Sequence, residues 1–151
     1  MRPQSLQALQ TRIHNAISQD QPLGKSFLVF KAAGSLWAVD FVEVSTVMTC
    51  GHITRLWATF GMPKSVVGIS SAGEDILTVI DAGLVLSSLS SSMTLKSRLI
   101  TFTAPQLRGV ALQVDRVFDP VPEDGLGSLG EPVVLLDSNA ISQKINLGVS
   151  P

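Results

Sequence analysis

The spacing of hydrophobic residues along the chain changes near residue 25. Before it, Leu6, Leu9, Ile13 and Ile17 recur at intervals of three and four, with Gln7, Gln10, Arg12 and Gln19 between them. That is the pattern of an amphipathic helix, and Pro22 and Gly24 stop it. Residues 1–25 therefore read as an N-terminal helical extension whose apolar stripe packs on the body of the protein. From Ser26 the period becomes that of strands. Residues 27–31 and 36–44 form a predicted hairpin turning over Ala32, Ala33 and Gly34, with Trp37, Val39 and Phe41 on one face. Residues 44–50 fit a short helix or a further strand, and 52–63 read as irregular. A second hairpin, 66–70 with 75–80, turns around Ala72 and Gly73. A third, 99–103 with 110–117, alternates Val110, Leu112 and Val114 against Ala111, Gln113 and Asp115. After a loop rich in Pro and Gly come a strand over 133–136 and a helix over SNAISQKI.

Asp81 and Asp137 each follow an apolar strand and precede a helical segment, so both are expected to cap helix N-termini. The serine-rich stretch 87–92 reads as a connection. Set side by side, the halves repeat: a hairpin (27–44 and 99–117), a spacer, an apolar strand ending in Asp, then a short helix. Two similar small barrels are implied. Neither half is long enough for a comfortable core of its own, so the pair should pack together and leave a groove between them.

Composition narrows the classes. Charged residues are 15% of the 151, against a usual share of about 25%, and apolar residues are 45%. Eleven Lys and Arg against twelve Asp and Glu give a net charge of -1, which offers no electrostatic footprint for nucleic acid or an anionic membrane. The single cysteine, Cys50, cannot form an intrachain disulfide and fits a reducing compartment, so a cytoplasmic location is expected. The first twenty residues lack the apolar core of a secretory signal. The longest uncharged stretch, 82–95, is shorter than the ~20 apolar residues of a membrane span, so no membrane insertion is expected.

Catalytic chemistry finds little support. Gly125 to Gly130 spell G-x-G-x-x-G, but prolines precede them and a strand follows, the wrong context for a dinucleotide loop. Ser70 and Ser71 invite comparison with a nucleophile elbow, with one residue too many between the glycines and only His14 and His52 as bases. A small serine hydrolase is the remote reading. Cys50 and His52 are too few ligands for zinc. The acidic group Asp115, Asp119, Glu123 and Asp124 reads as a solvated strand exit rather than a catalytic pair. No cofactor, no metal and no enzymatic activity are expected.

The order of GISSAGEDILTVIDAGLVL, GVALQVDRVFD and VVLLDSNAI resembles the CheW-like adaptor domain of bacterial chemosensory systems over residues 26–146. The resemblance rests on Gly68 before a hairpin ending in Val79, Ile80 and Asp81, on Gly109 with Val114, Asp115, Arg116 and Val117, and on Leu135, Leu136 and Asp137. It implies a mainly β fold of two intertwined five-stranded SH3-like β-barrels with short helices, to which this chain adds the N-terminal helix. The first barrel would take residues 26–50 and 118–146, the second 65–117, and 147–151 would be a tail.

The resemblance also implies a function without catalysis. Such domains bridge a CheA-type histidine kinase to the cytoplasmic tip of a chemoreceptor, one barrel's edge meeting the kinase and the groove taking the receptor helix. Val44, Thr46, Gly68, Ile69 and Gly73 match the partner-contacting segments. The chain departs from the pattern in two places. Ser71, Ala72, Gly73 and Glu74 stand where the family has Asn-Leu-Arg-Gly, and Thr46 stands where it tends to carry a glutamate facing that arginine. Removing one member of such a pair leaves a partly buried charge unpaired at about 3–5 kcal/mol, whereas removing both can be nearly neutral, so the two changes belong together. The expected role is kinase-to-receptor coupling in chemotaxis, twitching or type IV pilus signalling. The alternative is a CheW-like regulator that binds the kinase or itself without a receptor.

Overall fold

The structure, a computed structural model, describes residues 25–55, 64–72, 74–91 and 93–149. The expected N-terminal helix, apart from Lys25, and Gly73 lie outside them. The chain opens with the antiparallel hairpin β1 (Ser26–Ala32) and β2 (Ser35–Asp40). Its turn residues Ala33 (φ 52°) and Gly34 (φ 82°) are both left-handed, the geometry that continues the twist of the strands. Glycine adopts it freely, whereas Ala33 pays about 1–2 kcal/mol. The Asp115 carboxylate offsets this by accepting the Ala33 N–H at 3.0 Å from across the molecule.

At Asp40 the backbone leaves the strand. The Asp40 carboxylate accepts the Val42 N–H at 3.1 Å and starts a 3₁₀ helix, Phe41–Glu43, which carries the chain into a second sheet. That sheet contains β3 (Val44–Thr49), β4 (Ile53–Arg55), β5 (Val66–Ala72), β6 (Asp75–Asp81), β7 (Arg98–Phe102) and β8 (Val110–Val114), in the spatial order β3-β7-β8-β6-β5-β4. Its two end strands are joined only by Cys50, Gly51 and His52. A flat six-stranded sheet would hold its end strands about 24 Å apart, beyond the ~14 Å such a link can span, so the sheet curls. The first sheet is completed late in the chain. Strands β9 (Arg116–Val117) and β10 (Val121–Pro122) share the free edge of β1, and β11 (Val133–Leu136) pairs in parallel with β2.

The repeated elements seen in the sequence are present, but each hairpin pairs with the strand of the other half. In one sheet the hairpin β1–β2 pairs in parallel with β11, which ends before Asp137 and α2 (Ser138–Val149). In the other the hairpin β7–β8 pairs in parallel with β6, which ends in Asp81 and α1 (Ala82–Ser87). Both aspartates cap: Asp81 accepts the Leu84 N–H at 3.3 Å, and Asp137 accepts the Ala140 N–H at 2.7 Å.

Alternation along the strands builds three cores rather than one. Leu28, Phe30, Trp37, Val39, Ile80, Ile100, Leu112 and Val114, with Leu86 and Ile141 from the two helices, form a central seam fed by both sheets. The opposite face of the first sheet collects Phe27, Val29, Leu36, Ala38 and Val121. The opposite face of the second collects Cys50, Leu77, Val79, Leu99 and Ala111. Central strands are thus buried on both faces, each large side chain contributing about 1.5–3 kcal/mol.

Several expectations are corrected. The second sheet has six strands, not five, because Ile53–Arg55 inside the segment read as irregular forms β4. Three residues are too few to display a period. Strand β3 lies in the second sheet rather than with residues 26–40, because the 3₁₀ turn intervenes before it. The strand expected over 110–117 breaks at Asp115, whose N–H donates to the Lys31 carbonyl at 2.8 Å, so that β9 joins the other sheet. The loop after Pro122 contains a 3₁₀ helix, Glu123–Ser128, and α2 continues to Val149, past the expected boundary at 146.

Candidate partner-binding surface

Four of the five residues assigned to partner contact lie within the described part, and they divide into two kinds. Regular alternation would put Val44 and Thr46 on the same side of β3. The pairing with β7 shifts register between them, and this bulge turns Val44 inward and Thr46 outward. Val44 is 6% exposed in the central seam, whereas Thr46 is exposed. Gly68 sits at a second register shift, between β5 and β6, where a Cβ would overlap the Thr54 carbonyl and the Cα of Arg55. Its role is to let β4 approach. Ile69, half-buried, lies opposite Thr54 on one side and Thr78 on the other. Thr46 and Ile69 therefore face the surface of the curled sheet, while Val44 and Gly68 shape the strands that carry them.

Thr46 is engaged with its neighbour. Its N–H donates to Thr101 Oγ1 at 3.1 Å, and the two hydroxyl oxygens lie 2.6 Å apart. Where the resemblance leads one to look for a carboxylate, the strand pair carries an exposed, neutral hydroxyl couple.

Two carboxylates do structural work that spacing alone conveys only in part. Besides capping α1, Asp81 accepts the Ser91 N–H at 3.1 Å with both oxygens and the Ser90 hydroxyl at 3.2 Å. The serine-rich connection is folded back over the helix start, and Ser91 Oγ accepts the Gly83 N–H at 3.0 Å. Glu43 escaped notice in the sequence. Its Oε1 accepts the Ser138 N–H at 2.8 Å, capping α2 from a position 95 residues away, a contact to which no local pattern points.

The catalytic alternatives meet specific obstacles. The Ser70 hydroxyl donates to the His52 backbone carbonyl at 3.4 Å, and a carbonyl is no general base. Cys50 is buried, and that burial pushes its thiol above the ordinary range, with Arg98 pulling partly the other way. Such a thiol is a poor nucleophile. The G-x-G-x-x-G run spans the 3₁₀ helix between β10 and β11 instead of opening an α-helix after a strand. Among the described residues no three His, Cys, Asp or Glu side chains are grouped to hold a metal, and no helix is long and apolar enough to cross a membrane.

This arrangement of two mixed sheets about a common seam is similar to a solved scaffold. The crystal structure of the scaffolding protein TtCheW from Thermoanaerobacter tengcongensis aligns with a TM-score of 0.58 and 26% identity, over 68% of this chain and 69% of that one. The fold is CheW-like. No protein-family model matches the sequence, and no curated protein matches it significantly.

On this CheW-like frame one exposed apolar strand edge lies where the sequence did not direct attention. The run Val133–Leu136 reads as a buried strand, yet Val134 is 48% and Leu135 57% exposed. Strand β11 is the last of its sheet and pairs, among the described residues, only with β2. Beside it Leu126, Pro132, Val133 and Leu135 line an open groove of about 630 Å³ floored by Gly127 and Gly130. The available signal was the absence of a second strand to follow β11 before the chain turns helical.

Proposed function

We propose that the chain is a non-enzymatic adaptor coupling a CheA-type histidine kinase to the cytoplasmic tip of a chemoreceptor or related sensor, in bacterial chemotaxis, twitching or type IV pilus signalling. The observation that carries this reading is the two-sheet fold about a shared seam, held in common with a protein described as a scaffold. In this reading the two sheets act as the two barrels and the chain works in the cytoplasm. One strand edge meets the kinase's homologous regulatory domain, and a receptor helix is read through apolar anchors at helical spacing. Thr46 and Ile69 contact the partners directly. Val44 and Gly68 fix the strands beneath them, and Gly73 sets the turn between β5 and β6.

One observation favours a second reading, a regulator that binds the kinase or itself without a receptor. The Thr46–Thr101 hydroxyl pair is neutral, and the turn opposite lacks an arginine. The purified chain is to be tested for complexes with a CheA-type kinase and a receptor cytoplasmic fragment, separately and together. A ternary complex supports the adaptor, whereas a kinase complex or a homodimer that excludes the receptor supports the regulator. Binding to neither, with no self-association, sinks both.

A further inference from the structure

We propose that residues 1–24 of this same chain occupy the groove between the 3₁₀ helix Glu123–Ser128 and β11, with Leu6, Leu9, Ile13 and Ile17 as anchors. The groove needs a cover. An exposed strand edge flanked by Val134 and Leu135 is a template for unwanted pairing, and proteins commonly shield such edges with a helix.

The attachment point favours the chain's own N-terminus as that cover. Lys25 is held beside the 3₁₀ wall and the end of β2. Its carbonyl accepts the N–H of Glu123, the first residue of the 3₁₀ wall, at 3.0 Å. Its ammonium lies 3.8 Å from Asp40 at the end of β2, whose neighbour Val39 pairs with Leu136 of β11. The chain therefore leaves the described body beside the 3₁₀ helix that forms one wall of the groove.

Length and charge agree with this. Residues 6–17, if helical, measure about 18 Å, against ~13 Å for the four residues of β11. The seven residues from Ser18 to Gly24 can reach ~23 Å, enough to lay the segment along the strand. Residues 1–24 carry Arg2 and Arg12 against Asp20 alone, while Glu123, Asp124 and Glu131 stand exposed around the groove. A short tether also presents the segment at an effective concentration of about millimolar, so a modest contact suffices. The docking does not depend on the adaptor reading, and either can fail without the other.

Trypsin cleavage after Arg12 in the full-length chain tests it, since Arg2 is shielded by Pro3. Leu135→Asp changes a side chain already exposed and so spares the fold; Val42→Asp, 75% exposed on the 3₁₀ helix after β2, is the control. Docking predicts slow cleavage in the parent chain, acceleration of about tenfold by Leu135→Asp, and none by Val42→Asp. Equal rates in all three chains overturn the proposal, as does equal acceleration by both variants. If protection fades on dilution and the chain sediments as a dimer, the occupant belongs to a second copy and the intrachain docking is refuted.

Discussion

Replacing Asp81 by alanine should cost far more than an ordinary helix cap. A cap contributes about 1 kcal/mol, but this carboxylate is 4% exposed and serves Leu84 N–H, Ser91 N–H and the Ser90 hydroxyl together. A hydrogen bond to a charged group is worth about 1.5–3 kcal/mol, and the serine segment can turn to water once released, so the sum is not fully realised. A loss of about 3 kcal/mol is expected for Asp81→Ala. Asp81→Asn keeps the volume and one acceptor oxygen while turning an NH₂ toward groups that are themselves donors, so about 1–2 kcal/mol is expected. Helix α1 has only six residues and cannot stand alone, which means the same substitution should loosen Leu86 in the seam. Urea unfolding followed by circular dichroism, at unchanged denaturant dependence, gives the comparison. If Asp81→Ala lies within about 0.5 kcal/mol of the parent chain, the carboxylate is not the hub of this connection.

Other substitutions test other joints. Gly68→Ala drives a methyl into the backbone of β4 and should cost about 1–3 kcal/mol, with faster amide exchange in residues 53–55. Leu112→Ala empties a fully buried seam position and should cost about 3–5 kcal/mol by denaturant titration. Ala33→Gly relieves a left-handed residue without disturbing the N–H that Asp115 accepts, and should stabilise by roughly 1 kcal/mol. Because burial raises the Cys50 thiol, its contribution is intact below the ordinary thiol value of about 8.5 and is lost as pH rises from there through the folded value, where only the unfolded chain has released its proton. Stability should fall over that alkaline window and fall less in Cys50→Ala, with native alkylation lagging that of the unfolded chain.

What could be read from the sequence was local or periodic. The turn at Ala33 and Gly34, the shared face of Trp37, Val39 and Phe41, and the two aspartate caps each depend on residues within a few positions of one another. The repeat was legible for the same reason. The features that escaped depend on distant parts of the chain. Asp115 ends β8 because Lys31 and Ala33 lie beside it, and Glu43 caps a helix that starts 95 residues later. β4 exists because β5 offers an edge made close by Gly68, not because Ile53–Arg55 has any strand signature. Among the candidate site residues, burial of Val44 and exposure of Thr46 were fixed by one bulge that no alternation rule anticipates.

The division between conserved architecture and altered surface follows from the same packing. Strands β1, β2, β6, β7 and β8 bury apolar residues on both faces, which leaves few strand positions for charge and agrees with a charged share of 15%. High hydropathy is therefore not by itself a sign of surfaces awaiting partners. The described residues of the turn between β5 and β6 contribute none of the seam residues, and the exposed Thr46 hydroxyl meets that of Thr101. Such positions can change without loosening the seam. Association has to draw on apolar groups that the three cores leave uncovered, and β11 joins two of them to an open strand edge: its outer edge is unpaired among the described residues, and Val134 and Leu135 remain about half exposed.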